Sequence, residues 1–380
     1  MKRLLLVTTV PSTLQGFLLP FAHYFRSKGW QVDALTSRGK ISSLCTEAFN
    51  HIWTVGWSRN PLDACNLIST PRKIRAIVAQ QNYDIVHTHT PVASFVTRYS
   101  LRGPYQICRS KIIYTAHGFH FHSAGHYLSN AIFVGLERLA GVWTDDLVVI
   151  NREDQAAALR EQILHPDRIH YMPGIGIDLT RYDPQLYSDN DVAQLRSDLG
   201  LKPNEHLFTM IAELTPNKRH CDVLDSLARL DCTNIHLACV GSGPLLERLR
   251  QQARTLGIER NVHFLGFRPD VPIFLRAAEA SLLVSQREGL PRSVMESLSL
   301  QTPVIGTNIR GTRDLLGVGC GLLVEVGDHA GLARSMDWVL NNQERAREIG
   351  RQGRNQMQQY DLRHILMLHE KLYTTVLERI

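Results

Sequence analysis

Long apolar runs are missing from this chain: none approaches the roughly 18 to 20 residues that a bilayer-spanning helix needs. Pairs of the C-x-x-C type are missing too. The seven cysteines, Cys45, Cys65, Cys108, Cys221, Cys232, Cys239 and Cys320, are scattered and odd in number. That distribution argues against a disulfide framework and a thiolate zinc site, and fits reduced thiols. The turn "GSGP" at 241–244 stops short of a dinucleotide fingerprint. No recognisable nucleic-acid-binding module accompanies the net charge of +6, so a nucleic-acid partner is not expected.

With 380 residues, 44% hydrophobic and 21% charged, the chain is globular and long enough for two cores. Its start, "MKRLLLVTTVPSTLQGF", superficially resembles a signal peptide. The run is short, lacks a small-residue cleavage site and leads into an amphipathic helix, so it reads as a buried first strand of a cytoplasmic protein. Charge is uneven: residues 1–170 hold 18 Lys and Arg against 11 Asp and Glu, whereas residues 171–380 hold 24 against 25. A basic half suits a phosphorylated ligand or an anionic membrane surface, and also a merely solvated face.

Short β-rich runs alternate with amphipathic segments, the pattern of β-α-β units around a parallel sheet. "KRLLLVTTV", "WQVDALTS", "YDIVHTHT", "KIIYTAHG" and "DDLVVIN" predict one doubly wound domain. The pattern restarts after "RIHYMPGIGID", read as a turn or linker. "LFTMIAEL", "IHLACVGSG", "VHFLGF", "ASLLVS" and "TPVIGT" predict a second. The expected fold class is α/β, two doubly wound Rossmann-like domains facing across a cleft. The expected domains are 1–172, 173–360, and a helix at 361–380 returning to the first domain. Ligands of such sheets bind at the carboxyl ends of the strands, where the winding reverses.

Three stretches carry chemistry. In "EGLPRSVMESLSLQTPVIG" (288–306), Glu288 sits at a strand end, Gly289 allows close backbone approach, and Pro291 opens a helix whose start suits an anion. Glu288 could accept from sugar hydroxyls and Glu296 from ribose hydroxyls. Equally, Glu296 could be an exposed helix residue and Glu288 a charge complement at a helix start. Lys218 and Arg219 in "ELTPNKRH" could neutralise a diphosphate or be solvated cations. "TAHGFHFHSAGH" (115–126) packs His117, His120, His122 and His126 together. The loop has no Asp, Glu or Cys to complete a metal site, so no metal is expected and polar rings gripping a sugar or phosphate remain.

These stretches, with "FLLPFAHYFRSKGWQV", "YDIVHTHTP", "VGSGP" and "LLVEVGD", resemble the retaining glycosyltransferases of family four, whose two-domain fold is called GT-B, and most of all the bacterial capsule and exopolysaccharide branch. The resemblance implies catalytic roles for His117, Lys218 and Glu288: His117 touching the transferred sugar, Lys218 the diphosphate and Glu288 the donor sugar. It implies donor contacts from Gly16, Arg219, Gly289, Leu290, Pro291 and Glu296, with Phe267 and Arg268 bordering the base. His89, His120 and His122 fall on the acceptor side. Glu213 stands where the family often has an arginine five positions before the lysine, so either Arg219 supplies the second cation or Lys218 acts with helix N-termini alone.

The implied reaction moves a sugar from a nucleotide diphosphate donor, a UDP-sugar, to a saccharide acceptor, polyprenyl-diphosphate-linked, with retention and without a cofactor. An anionic membrane surface would be met by Arg72, Lys73, Arg75, Arg98, Arg102, Arg109 and Lys111, with Phe95 and Tyr99. The alternatives are a UDP-sugar 2-epimerase and a non-catalytic sugar-binding protein.

Overall fold

The computed structural model describes residues 1–57, 63–103, 110–121, 125–230, 234–317 and 319–379. The chain divides into two compact units, Met1–Ile175 with Arg363–Ile380, and Gly176–Leu362. In the first unit Leu4, Leu5, Leu6 and Val7 are all fully buried, as parallel strands are when helices cover both faces. Its seven strands are β1 (Arg3–Val7), β2 (Gln31–Ser37), β3 (His51–Val55), β4 (Ile85–His89), β5 (Lys111–Ala116), β6 (Asp146–Val149) and β7 (Ile169–Tyr171). They pair in parallel in the order β3-β2-β1-β4-β5-β6-β7, so the winding reverses between β1 and β4.

The second unit repeats the plan with six strands: β8 (His206–Ile211), β9 (Ile235–Val240), β10 (Val262–Gly266), β11 (Ala280–Leu283), β12 (Val304–Thr307) and β13 (Leu322–Val324). Their order, β10-β9-β8-β11-β12-β13, reverses between β8 and β11. Every residue of β9 is buried.

One reading needs correction. "RIHYMPGIGID" is not all linker, because Ile169–Tyr171 pairs with Leu147–Val149 and closes one edge of the first sheet. The strands that the apolar runs do not reveal, β3, β7 and β13, are all edge strands, only partly buried. An edge strand has a neighbour on one side only and need not be continuously apolar.

The helix Leu362–Glu378 belongs to the first unit from Arg363 onward. Its inward residues Ile365, Leu366, His369, Leu372, Tyr373 and Val376 recur every three or four positions, as one face of a helix does. Among the described residues, no helix is long and apolar enough to cross a membrane.

Candidate functional site

In the second unit the loops after β8 and β11 leave adjacent strands where the winding reverses, and three contacts join them. Gln286 N–H donates to the Asn217 carbonyl (2.8 Å), Asn217 Nδ2 to the Arg287 carbonyl (3.0 Å), and Lys218 Nζ to Glu288 Oε1 (2.5 Å). Both partners of the Lys218–Glu288 pair are largely buried, with side chains 23% and 13% exposed. Sequence reading flagged the two residues separately; the topology brings them together.

Gly289, Leu290 and Pro291 continue this loop into the helix Arg292–Ser299, whose N-cap is Pro291 and has no side-chain cap. The helix thus keeps its positive end directed at the same loop. Behind it, Gly311 (φ 73°) lies so close that a Cβ there would sit 1.9 Å from the Gly289 carbonyl oxygen. Arg310, 94% buried, donates from Nε to the Glu288 carbonyl (3.2 Å). Leu290 packs on the core beneath. The loop is clamped from behind.

Glu296 is buried, 8% exposed, which removes the reading of an exposed helix residue. Its Oε1 accepts from Tyr182 Oη (2.6 Å) and from Arg292 Nε (2.9 Å). Burial and the adjoining carboxylate push the Tyr182 hydroxyl well above the usual phenol range, so it stays a donor. A buried carboxylate held by two donors is rigid and directional.

Arg219 is differently placed. It adopts a left-handed conformation (φ 54°), and its fork grips Asp222, Nε to Oδ2 at 2.5 Å and a terminal nitrogen to Oδ1 at 3.0 Å. The cation of Arg219 is therefore turned to Asp222, three residues along its own segment, and Lys218 is the one directed at the β11 loop. Phe267, just past β10, is 81% exposed, while Arg268 forks onto Asp270 at 2.8 and 2.6 Å. The glycines of "GSGP" answer to packing: a Cβ on Gly241 would meet the Ala212 carbonyl oxygen at 2.0 Å and one on Gly243 that of Leu214 at 2.5 Å.

In the first unit, Thr90 follows β4 at the reversal point with φ 70°, a strained value for a β-branched residue. Its hydroxyl accepts from Thr9 N–H (2.9 Å) and pairs with Thr9 Oγ1 (2.7 Å), bridging the ends of β1 and β4. Gly16 lies in a π-helical turn, Leu14–Leu18, that leads into the helix Leu19–Ser27. A Cβ on Gly16 would meet nothing within 4 Å, so packing alone does not demand glycine there.

Beside this point stands a stack of histidines. His87 and His89 end β4, with ring centroids 4.2 Å apart; His117 follows β5, its centroid 5.3 Å from that of His89. His89 Nδ1 is 3.1 Å from His117 Nε2. The C-terminal helix adds two rings missed by sequence reading: Tyr373 Oη lies 2.5 Å from His87 Nδ1, and His369 packs 5.9 Å from the His87 ring. Burial, with a small push from His369, lowers His117 to about 4, and burial lowers His369 to about 4 as well. These rings are neutral at physiological pH. His120 stands apart, exposed and against the Phe133 ring at 5.2 Å; His122 lies outside the described residues. Among the described residues, no group of three or more His, Cys, Asp or Glu is arranged to hold a metal ion.

The proposed basic surface does not survive as drawn. Arg98 is 1% exposed, pairs with Glu137 (3.1 Å) and lies over the Tyr114 ring at 4.2 Å, an internal tie. Lys111 Nζ donates to the Arg379 carbonyl (3.0 Å), and Arg109 lies outside the described residues. Arg72 and Lys73 are exposed, Arg75 and Arg102 partly so; Arg102 lies over the Tyr99 ring.

Each of the two units matches a known family. Residues 17–181 match the family described as Glycosyltransferase Family 4, and residues 191–356 match Glycosyl transferases group 1. EpsD of Bacillus subtilis, named a glycosyltransferase, is 30% identical over 93% of this chain and 91% of its own. The UDP-Gal:alpha-D-GlcNAc-diphosphoundecaprenol alpha-1,3-galactosyltransferase of Escherichia coli is 28% identical over 70% of each. In three dimensions, HepE of Anabaena in complex with UDP and glucose superposes with a TM-score of 0.82 at 19% identity, covering 99% of this chain and 100% of HepE. WaaG, a glycosyltransferase involved in lipopolysaccharide biosynthesis, reaches 0.77 at 17% identity over 98% and 99%. With two reversed parallel sheets and a family match in each unit, the chain belongs to the family 4 glycosyltransferases of GT-B fold.

Proposed function

We propose that this glycosyltransferase takes a hexosyl or N-acetylhexosaminyl group from a UDP-sugar and passes it, with retention, to a lipid-linked saccharide in bacterial surface-polysaccharide synthesis. The observation that carries this reading is the Lys218–Glu288 pair at the reversal point of the second unit, beside the uncapped start of the helix Arg292–Ser299. A diphosphate is the anion that a lysine and a helix start together favour. Its arrival would draw Lys218 off Glu288 and free that carboxylate to accept from hydroxyls of the donor sugar. Glu296, held by Tyr182 and Arg292, is the candidate for the ribose diol. Gly289, Leu290 and Pro291 supply backbone to the sugar and diphosphate, with Gly16 facing the phosphates. Phe267 and Arg268 border the base.

In the proposed step the bond between the anomeric carbon and the diphosphate oxygen breaks, and the electron pair leaves with the diphosphate. The acceptor oxygen bonds to the same face of that carbon, and its proton passes to the departing diphosphate. Lys218 and the helix dipole stabilise the charge that develops there. His117 touches the transferred sugar and His120 belongs to the acceptor side; His89, 1% exposed, is too deeply buried for the acceptor contact expected of it and meets His117 instead. HepE, crystallised with UDP and glucose, supports the donor class. The relatives named for diphosphoundecaprenol and PP-undecaprenol acceptors, from Escherichia coli and Campylobacter jejuni, support a lipid-linked acceptor.

A membrane-facing site follows from such an acceptor, and the helix Tyr127–Gly141 is its best support. Leu128, Ile132, Leu139 and the following Val142, spaced along one face, are 64%, 63%, 49% and 81% exposed. An outward apolar stripe of this kind suits the interface of a bilayer.

The test combines UDP-glucose, UDP-galactose, UDP-N-acetylglucosamine and UDP-N-acetylgalactosamine with synthetic undecaprenyl-diphosphate saccharides. UDP release that requires acceptor, with an α-linked product, is expected. An epimerised nucleotide sugar formed without acceptor, or a β-linked product, overturns the reading.

A further inference from the structure

We propose that His89 is a positioning residue that fixes His117 as its neutral, Nδ1-protonated tautomer, so that His117 meets the donor sugar as a hydrogen-bond donor and not as a base. This rests on the assignment of His117 to the transferred sugar.

The argument is a count of protons. A neutral imidazole carries one N–H and one bare nitrogen, and the bond made by one nitrogen sets the state of the other. His89 is 1% exposed, and its Nε2 is buried with no hydrogen-bond partner. An orphaned buried N–H is the costlier defect; a bare lone pair is tolerated more often. The proton of His89 therefore belongs on Nδ1. That nitrogen lies 3.1 Å from His117 Nε2 and donates to it. His117 Nε2 is thereby the bare nitrogen, and the one proton of this neutral ring is on Nδ1. No hydrogen bond within the chain engages His117 Nδ1 among the described residues, so that N–H is available to a ligand.

The surroundings hold His89 in place. Its ring is packed between His87 and His117, and His87 is itself held at both nitrogens, by Tyr373 Oη at 2.5 Å and Thr115 Oγ1 at 2.7 Å. His369 donates from Nδ1 to the Ile365 carbonyl at 2.9 Å, which fixes its tautomer too. After His117 the chain turns away at Gly118, with φ 122°. Rotation of His89 would need this whole stack to shift.

The chemical consequence is directional. The basic nitrogen of His117 is turned inward to His89, so the ring cannot take the proton of an acceptor hydroxyl. It can only donate, to a hydroxyl or ring oxygen of the sugar. The departing diphosphate is left as the proton's destination.

Two measurements decide the matter. Ring 1H–15N correlation spectra of the wild-type protein, with His117 assigned through His117→Asn, should show the Nδ1-protonated tautomer; an Nε2-protonated His117 overturns the proposal without touching the donor assignment. In parallel, binding of UDP-glucose and of UDP is compared by calorimetry. His89→Leu removes the donor, while His89→Asn keeps an N–H near the position of Nδ1. Expected is a loss of about 10-fold to 100-fold in affinity for UDP-glucose in His89→Leu, from one lost charge-neutral bond and a freed ring. Affinity for UDP should be unchanged, and His89→Asn should recover most of the loss. Equal loss for UDP and UDP-glucose, or no recovery in His89→Asn, overturns the positioning role. If His117→Asn itself leaves UDP-glucose binding intact, the underlying sugar assignment fails instead.

Discussion

Lys218 and Glu288 lie 70 positions apart in sequence, yet their side chains meet at 2.5 Å where the second sheet reverses its winding. A lysine held by a carboxylate is a poor phosphate receptor until that contact opens. On the proposed reading Glu288 holds the place of the incoming diphosphate, and the two residues should respond to mutation in opposite ways.

Glu288→Gln releases Lys218, so UDP should bind more tightly while transfer falls. Lys218→Met should weaken UDP binding and lower turnover by about 100-fold or more, the scale for losing one preorganised charge contact in the transition state. Calorimetry with UDP and initial rates of UDP release measure the two effects. Both variants moving UDP affinity in the same direction would contradict the exchange of partners.

Tyr182→Phe removes one of two donors from the buried Glu296 carboxylate. Hydrogen bonds to charged groups contribute about 1.5–3 kcal/mol, and a loss of that order in urea unfolding is expected. If Glu296 receives the ribose diol, the variant should also narrow the preference for UDP over 2′-deoxy-UDP. A stability loss with that preference intact would confine Tyr182 and Glu296 to the fold.

Acid should destabilise the first unit through its buried imidazoles. His369 titrates near 4 in the folded protein and near 6.5 when unfolded, because burial disfavours its charged form. Between those values the unfolded chain binds the extra proton, so stability is complete above about pH 6.5 and declines as pH falls toward 4. The decline should approach about 1.4 kcal/mol per pH unit for each such ring. Urea midpoints measured from pH 7.5 to 4.5 report the slope, and His369→Phe, which keeps the edge packing on Phe21, should flatten it by one ring's share.

Ile132→Asp with Leu139→Asp places two charges on an exposed face, where folding has little at stake. The melting temperature should stay within a few degrees, while sedimentation with vesicles of anionic lipid at low salt should fall several-fold. Unchanged sedimentation would detach the helix Tyr127–Gly141 from any membrane role.

The central strands were legible in the sequence because burial on both faces makes them continuous apolar runs, as in "RLLLV" and "IHLACV". The edge strands β3, β7 and β13 were not, since half-exposed residues lose that signature. Site residues divide in the same way. Glu288, Glu296 and Lys218 could be picked out by local motif, but the partners Tyr182 and Arg310 arrive through tertiary contacts that no spacing encodes. Arg98 misled because arginine is almost always a surface residue. It is buried only because Glu137 and the Tyr114 ring, each from another element, meet it there. His369 was invisible for a similar reason: one polar ring in an amphipathic helix carries no signal until its neighbours are known.

The bond between His87 and Tyr373 spans 286 positions, with the whole second unit lying between them in the chain. Order of synthesis therefore becomes order of completion. A nascent chain possesses all seven strands of its first sheet long before Tyr373 leaves the ribosome, yet His87 still lacks one partner. The second unit, continuous from Gly176 to Leu362, has no such wait. The histidine stack is thus among the last parts of the protein to be finished, although most of its members are among the first to be made.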